Sequence, residues 1–309
     1  MLLQRRVLTS VSAILLVAAF AIPAAAQMPA DIAEKVKAIG PVVDPPKTAP
    51  IYAPLHPKEP YENVKVTRDV KYGSDARNLL DVFTPENASG PLPVFVFVHG
   101  GAFVGGNKRT GDSPFYDNFM LFAAKNGMVG VNMTYRLAPA NPYPAAPQDV
   151  AAALRWIASN IAQHGGDPAR IFVSGQSAGA AIVAQAVTGS ELPGVKGALL
   201  LSGIYDFTLT PPGKSEIAYL GSDTAKHEAA STLIKLMNGK LPLFVAWAEI
   251  DPPSFIKQGQ ALYANLCNKG RCPAHVFLKG HSHMSEVYSV NTDDKTLTDA
   301  MLAFVQKNR

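Results

Sequence analysis

The sequence predicts an α/β chain: a mostly parallel central sheet flanked by helices, with small arm or cap segments. Three observations predict it. Several short apolar runs, such as "LPVFVFV" and "GALLLSG", show no polar alternation and suit strands covered on both faces. Stretches with helical spacing lie between most of them, which favours parallel strands joined by crossovers. One run, "RIFVSG", passes through a Gly-x-Ser-x-Gly into a small-residue segment, so a serine stands where a strand turns into a helix.

The elements follow in order. "MLLQRRVLTSVSAILLVAAFAIPAAAQ" has two arginines, an apolar run from Val11 to Ile22 and an Ala-x-Ala at its end. That is the layout of a signal peptide over residues 1–26, cleaved after Ala26. The run is short for a membrane span, so we expect an exported protein, periplasmic or secreted, with no stable membrane anchor after cleavage. Residues 27–62 open with "PADIAEKVKAIG", which reads as a short helix. The proline-rich "PVVDPPKTAPIYAPLHPKEPYE" follows, where we expect neither regular helix nor central strand. We read 27–62 as an N-terminal arm and 63–309 as the main domain.

"NVKVTRDVKYG" alternates apolar and polar residues, as a strand with one wet face does, and "NLLDVFTP" returns beside it. Buried strands are expected at "LPVFVFVHGG", "MVGVNMTYR", "RIFVSG", "GALLLSG", "LPLFVAWAEID" and "AHVFLKGH". Helices are expected near 115–127, 148–163, 178–188, 254–267 and 293–307. Residues 204–240 hold no clear sheet element and read as a cap insertion.

The 309 residues are 48% hydrophobic and 17% charged, which excludes a disordered or fibrous chain. The net charge of +4 includes Arg5 and Arg6, and no basic stripe with interleaved aromatics occurs, so nucleic acid is not an expected partner. Cys267 and Cys272 flank "NKGR", and in an oxidising compartment they should close a local disulfide. Two cysteines without a nearby histidine do not complete a zinc shell, and no metal or organic cofactor is expected.

Ser177 is the candidate nucleophile, with Gly175 and Gly179 clearing the tight bend around it. A serine needs a base and donors for an oxyanion. "HGGAF", His99 to Phe103, follows a buried strand, and the N–H groups of Gly101, Ala102 and Ala178 are the candidate donors. "KGHSHMSEV" offers His281 and His283 as base; His283 is preferred because it directly precedes a helical opening. Asp251, at the end of its strand, is the candidate orienting acid, with Glu249 as competitor. Phe103 and Gln176 are candidate substrate contacts.

On "HGGAF", "YRLAP" with "YPAAPQD", "GGDPARIFVSGQSAG" and "EID…GHSHMS", the chain resembles the α/β-hydrolase superfamily. The likeness is to the carboxylesterase branch related to hormone-sensitive lipase, over nearly all of 63–309. The resemblance implies an α/β-hydrolase fold and hydrolysis of a small-molecule ester by Ser177, His283 and Asp251. It also implies a structural pair of Arg136 and Asp149. The chain departs from the pattern at Ala102, at Gln176 and at "PPSF" after Asp251, while "HSHMS" is closer to feruloyl and acetyl esterases and arylformamidases. The same groups would serve an arylformamidase or amidase, and a non-catalytic binding protein on this scaffold is the contrasting class.

Overall fold

The computed structural model describes residues 27–309; the expected signal peptide lies outside them. Their strands are β1 (Val64–Lys71), β2 (Leu79–Pro85), β3 (Leu92–Val98), β4 (Val129–Met133), β5 (Gly166–Gln176), β6 (Val195–Leu201), β7 (Leu243–Ile250) and β8 (Ala274–Ser282). They form one sheet in the order β1-β2-β4-β3-β5-β6-β7-β8. β1 and β2 pair antiparallel, as do β2 and β4, and every later pairing is parallel. All eight strands fall on the runs read from the sequence.

The helices are α1 (Ala30–Ile39), α2 (Pro45–Tyr52), α3 (Asp117–Lys125), α4 (Ala145–Asn160), α5 (Ala178–Gly189) and α6 (Lys214–Leu220), then α7 (Thr224–Ala230), α8 (Leu233–Asn238), α9 (Pro253–Asn268), α10 (Ser285–Tyr288) and α11 (Thr296–Lys307). β3 shows why the apolar runs are continuous. Val94, Val96 and Val98 belong to the core beneath α4 and α5, while Phe95 and Phe97 belong to the core beneath α3 and α11. A strand buried on both faces has no position left for a polar residue.

One expectation is corrected. The proline-rich segment does contain a helix, α2. Pro45 and Pro46 occupy its first turn, where a missing N–H costs nothing, and Asp44 caps it by accepting from the Lys47 N–H at 3.0 Å. Likewise α4 begins at Ala145, ahead of Pro147, rather than at 148. No helix among the described residues is long and apolar enough to cross a membrane.

Residues 204–240 carry α6, α7 and α8. In the arm, α1 lies against β8 and α2 against α10. The His56 Nε2–H donates to the Tyr288 carbonyl at 2.8 Å, holding the end of the arm beside the segment that follows β8.

A buried charge cluster fastens the loop after β3. Asp81 on β2 is fully buried and accepts from Arg68 at 2.9 Å, from Lys108 at 2.7 Å and from the Asp69 N–H at 2.8 Å. The Lys108 carbonyl accepts in turn from Asn132 on β4 at 2.6 Å. Asp81→Ala removes the buried anion that Arg68 and Lys108 share; each keeps a second carboxylate, Asp117 at 2.6 Å and Asp69 at 2.6 Å, so the loss should be about 1–3 kcal/mol of stability. Urea unfolding followed by far-UV circular dichroism checks this.

Candidate active site

β5 delivers Ser177 to the sheet's carboxyl edge. Ser177 has φ 58° and ψ −126°, a left-handed backbone that side-chain-bearing residues rarely adopt. The bend is pinned by the Ser177 N–H donating to the Leu201 carbonyl at 2.9 Å and by the Ser177 carbonyl accepting from Ala180 at 3.1 Å. The glycine two residues on has a geometric reason. A Cβ on Gly179 would lie 2.2 Å from the Val98 oxygen, because the start of α5 presses on the end of β3. Ser177 Oγ makes no hydrogen bond to another described residue, so its lone pairs and proton are uncommitted.

His283 follows β8 and is fully buried. Its Nδ1 lies 2.7 Å from Asp251 Oδ1. A carboxylate only accepts, so Nδ1 carries the proton and Nε2 presents a bare lone pair. Nε2 is buried with no partner among the described residues. Asp251 sits in the turn after β7, where its Oδ2 accepts from Ser202 Oγ at 2.7 Å and from the Ala248 N–H at 2.8 Å. Three donors thus hold one carboxylate and fix which oxygen faces the imidazole. The Phe255 ring packs on His283 with centroids 4.4 Å apart, limiting its rotation.

The loop after β3 bends back through three consecutive residues at positive φ: Gly101 at 122°, Ala102 at 52° and Phe103 at 66°. A Cβ on Gly101 would meet the Gly105 oxygen at 2.2 Å, so only glycine fits there. The Phe103 carbonyl accepts from Ala138 at 3.0 Å, tying the loop to the segment after β4. The N–H groups of Gly101, Ala102 and Ala178 find no acceptor among the described residues. Unpaired donors beside a bent loop and a helix start suit an anion.

Ser177, His283, Gly101, Ala102 and Ala178 all line one cavity of about 580 Å³. The arm supplies Val43 and Pro45 to its wall, and the 204–240 segment supplies Ile204 and Glu216. A larger cavity of about 720 Å³, lined by Tyr61, Val64 and Leu121 among others, holds none of these groups. Volume does not make a reactive site, and the candidate groups gather in the smaller cavity.

The remaining candidates separate clearly. Phe103 lines the cavity but is 2% exposed; its ring stacks on Tyr219 at 4.2 Å, so it supports the floor. Gln176 also lines the cavity, yet its amide donates to the His283 carbonyl at 3.0 Å and so orders the loop that carries His283. His281 Nε2 lies 2.9 Å from Asp294, and Nδ1 lies 3.3 Å from Ser285 Oγ, which commits both ring nitrogens. Burial raises the Asp294 carboxyl, but the His281 and Thr296 contacts outweigh it and leave it below the ordinary carboxylate range. Glu249 points elsewhere, accepting from the Gly280 N–H at 2.7 Å. Burial pushes the His99 imidazole down to about 4, so it stays neutral; its Nδ1 donates to the Gly100 carbonyl at 2.6 Å.

Arg136 grips Asp149 with Nε at 2.9 Å and Nη2 at 2.8 Å, fastening the segment after β4 to α4. Cys267 and Cys272 are joined in a disulfide between α9 and β8. No cluster of three or more His, Cys, Asp or Glu that could hold a metal ion occurs among the described residues.

Ser202, Phe255 and Glu286 were not singled out from the sequence. Glu286 is fully buried, neither of its carboxyl oxygens has a hydrogen-bond partner among the described residues, and burial, then the nearby Asp251 charge, push its carboxyl well above the usual range. Such surroundings favour the neutral form of Glu286. Ser202 closes β6 with φ 43°, so the only sequence signal was its place at a strand's carboxyl end.

Residues 95–286 match the family described as alpha/beta hydrolase fold, and the chain belongs to that family. It is 33% identical to the carboxylesterase NlhH of Mycobacterium tuberculosis over 209 residues, 60% of this chain and 63% of that protein. It is 35% identical over 133 residues to the isoprenylcysteine alpha-carbonyl methylesterase ICME of Arabidopsis thaliana, 43% of this chain and 30% of that protein. Across these curated relatives the chain thus spans less than two-thirds of their length. Among solved structures, it superposes on a bacterial heroin esterase with TM-score 0.68 and 24% identity, covering 90% of this chain and 98% of that one. It superposes on a thermostable esterase from Pseudomonas putida ECU1011 with TM-score 0.68 and 21% identity, covering 90% and 95%.

Proposed function

We propose that the chain is a serine carboxylesterase acting on small-molecule esters through Ser177, His283 and Asp251. The observation that carries this is the 2.7 Å bond from His283 Nδ1 to Asp251, which leaves Nε2 bare in the cavity that Ser177 lines. Ser177 Oγ attacks the ester carbonyl carbon as its proton passes to His283 Nε2. The new oxyanion is met by the N–H groups of Gly101, Ala102 and Ala178. His283 then gives the proton to the departing alkoxide, and an acyl-serine remains. Water attacks that ester, its proton again goes to His283, and the acid leaves as Ser177 recovers the proton. The sum is ester plus water to acid plus alcohol, with the protein unchanged. Similarity to proteins described as carboxylesterases and methylesterases supports the same reaction.

The competing acceptor is an amide. Turnover of p-nitrophenyl acetate beside N-formylaniline tests the assignment: faster ester hydrolysis is expected, and preference for the anilide would make the chain an amidase on the same groups. We also infer export. The layout of residues 1–26 and the Cys267–Cys272 disulfide support it. Sequencing the exported protein from Gln27 onward is the matching check.

A further inference from the structure

We propose that Glu216 selects among substrates by charge, favouring esters that carry a cationic group and disfavouring those that carry a second carboxylate. The inference rests on the esterase reading and concerns the recognition of its substrate. Three observations support it. No Lys or Arg lines the cavity, and Glu216 is the acidic residue that does. Glu216 is half-buried and makes no ion pair or hydrogen bond among the described residues. Its helix is anchored over the reacting groups: Tyr219, one turn on, stacks on Phe103 with planes 7° apart and donates to Gln185 at 2.7 Å. Residues three apart share a helix face, so the anchor that buries Tyr219 also turns Glu216 toward the cavity. Lys214 on the same helix is exposed and does not line it.

The other walls are largely apolar, with Val43, Phe115, Ile204 and Phe255 among them. An unpaired carboxylate in such surroundings is screened less than one on open surface. A substrate cation several ångströms away should gain about three- to tenfold in kcat/KM over a neutral isostere at low salt. A substrate carboxylate should lose a comparable factor. Glu216 is also the third residue of α6, and its Oε2 lies beside Gly213, the residue before the helix. A capping role alone would change stability and leave charge preference untouched.

The test compares acetylthiocholine with its uncharged isostere 3,3-dimethylbutyl thioacetate, and mono-p-nitrophenyl succinate with p-nitrophenyl butyrate. In the wild type, the cation-to-neutral ratio of kcat/KM should fall as NaCl is raised. In Glu216→Gln that ratio should drop about three- to tenfold, and the anion-to-neutral ratio should rise. Glu216→Lys should reverse both preferences. Ratios that are the same in wild type and Glu216→Gln would overturn the proposal, even if the variant is less stable. Calorimetric binding of the thioester pair to Ser177→Ala gives a second reading that needs no turnover. A binding preference for the cation that Glu216→Gln removes upholds the charge selection whatever reaction Ser177 performs; equal binding of both members overturns it.

Discussion

Replacing Ser177 with alanine should lower kcat on p-nitrophenyl acetate by a factor on the order of 10⁴ or more while leaving the fold intact. Alanine removes the Oγ proposed to form the acyl bond and leaves the unpaired N–H groups and the cavity in place. It also keeps a Cβ at φ 58°, so the backbone strain of the elbow is unchanged. Thermal unfolding of Ser177→Ala should therefore match the wild type closely. Ser177→Gly supplies the contrast. It should be equally inactive yet more stable by about 1 kcal/mol, since glycine relieves the left-handed strain. An inactive protein that gains stability on losing its side chain marks a residue held for chemistry rather than for folding.

The second large effect is expected at Asp251. Asparagine has almost the same shape, but it has one acceptor oxygen where aspartate has two. Ser202 Oγ and the Ala248 N–H both donate to the Oδ2 position, so the asparagine oxygen must turn toward them. Its NH₂ then faces His283 Nδ1, which must give up its proton to accept. The proton moves to Nε2, and the imidazole can no longer take a proton from Ser177. A loss on the order of 10³–10⁴ in kcat should follow, with little change in KM. Steady-state kinetics, with the imidazole N–H resonances followed by NMR, would display both the loss and the tautomer change. Retention of wild-type kcat in Asp251→Asn would mean that the charge at this position is not what orients the base.

Much of this site was legible in the sequence, for a local reason. The elbow at 171–179 and the loop at 99–103 are each contiguous, and each needs glycine at fixed offsets where backbone meets backbone. The inner strands were legible because burial on both faces leaves an uninterrupted apolar run, and β1 because its apolar and polar residues alternate. What stayed hidden is non-local. Ser202 is one serine at a strand end until the fold sets it against Asp251, 49 residues later. Lys108 and Asp81 are 27 residues apart and carry no pattern. Gln176 and Phe103 were read as substrate contacts because they flank the reacting groups, but their polar and aromatic surfaces are largely engaged with the protein itself. The α2 helix was obscured because proline composition excludes helix interiors but not first turns.

Covalent labelling tests the central claim most directly. A fluorophosphonate is attacked at phosphorus, with loss of fluoride, only by a serine whose proton a neighbouring base removes. Intact-mass analysis should find one adduct on the wild type, and peptide mapping should place it on Ser177. Ser177→Ala and His283→Ala should stay unlabelled over the same interval. Rapid labelling of Ser177→Ala, or a wild type that takes up no adduct, would contradict the account.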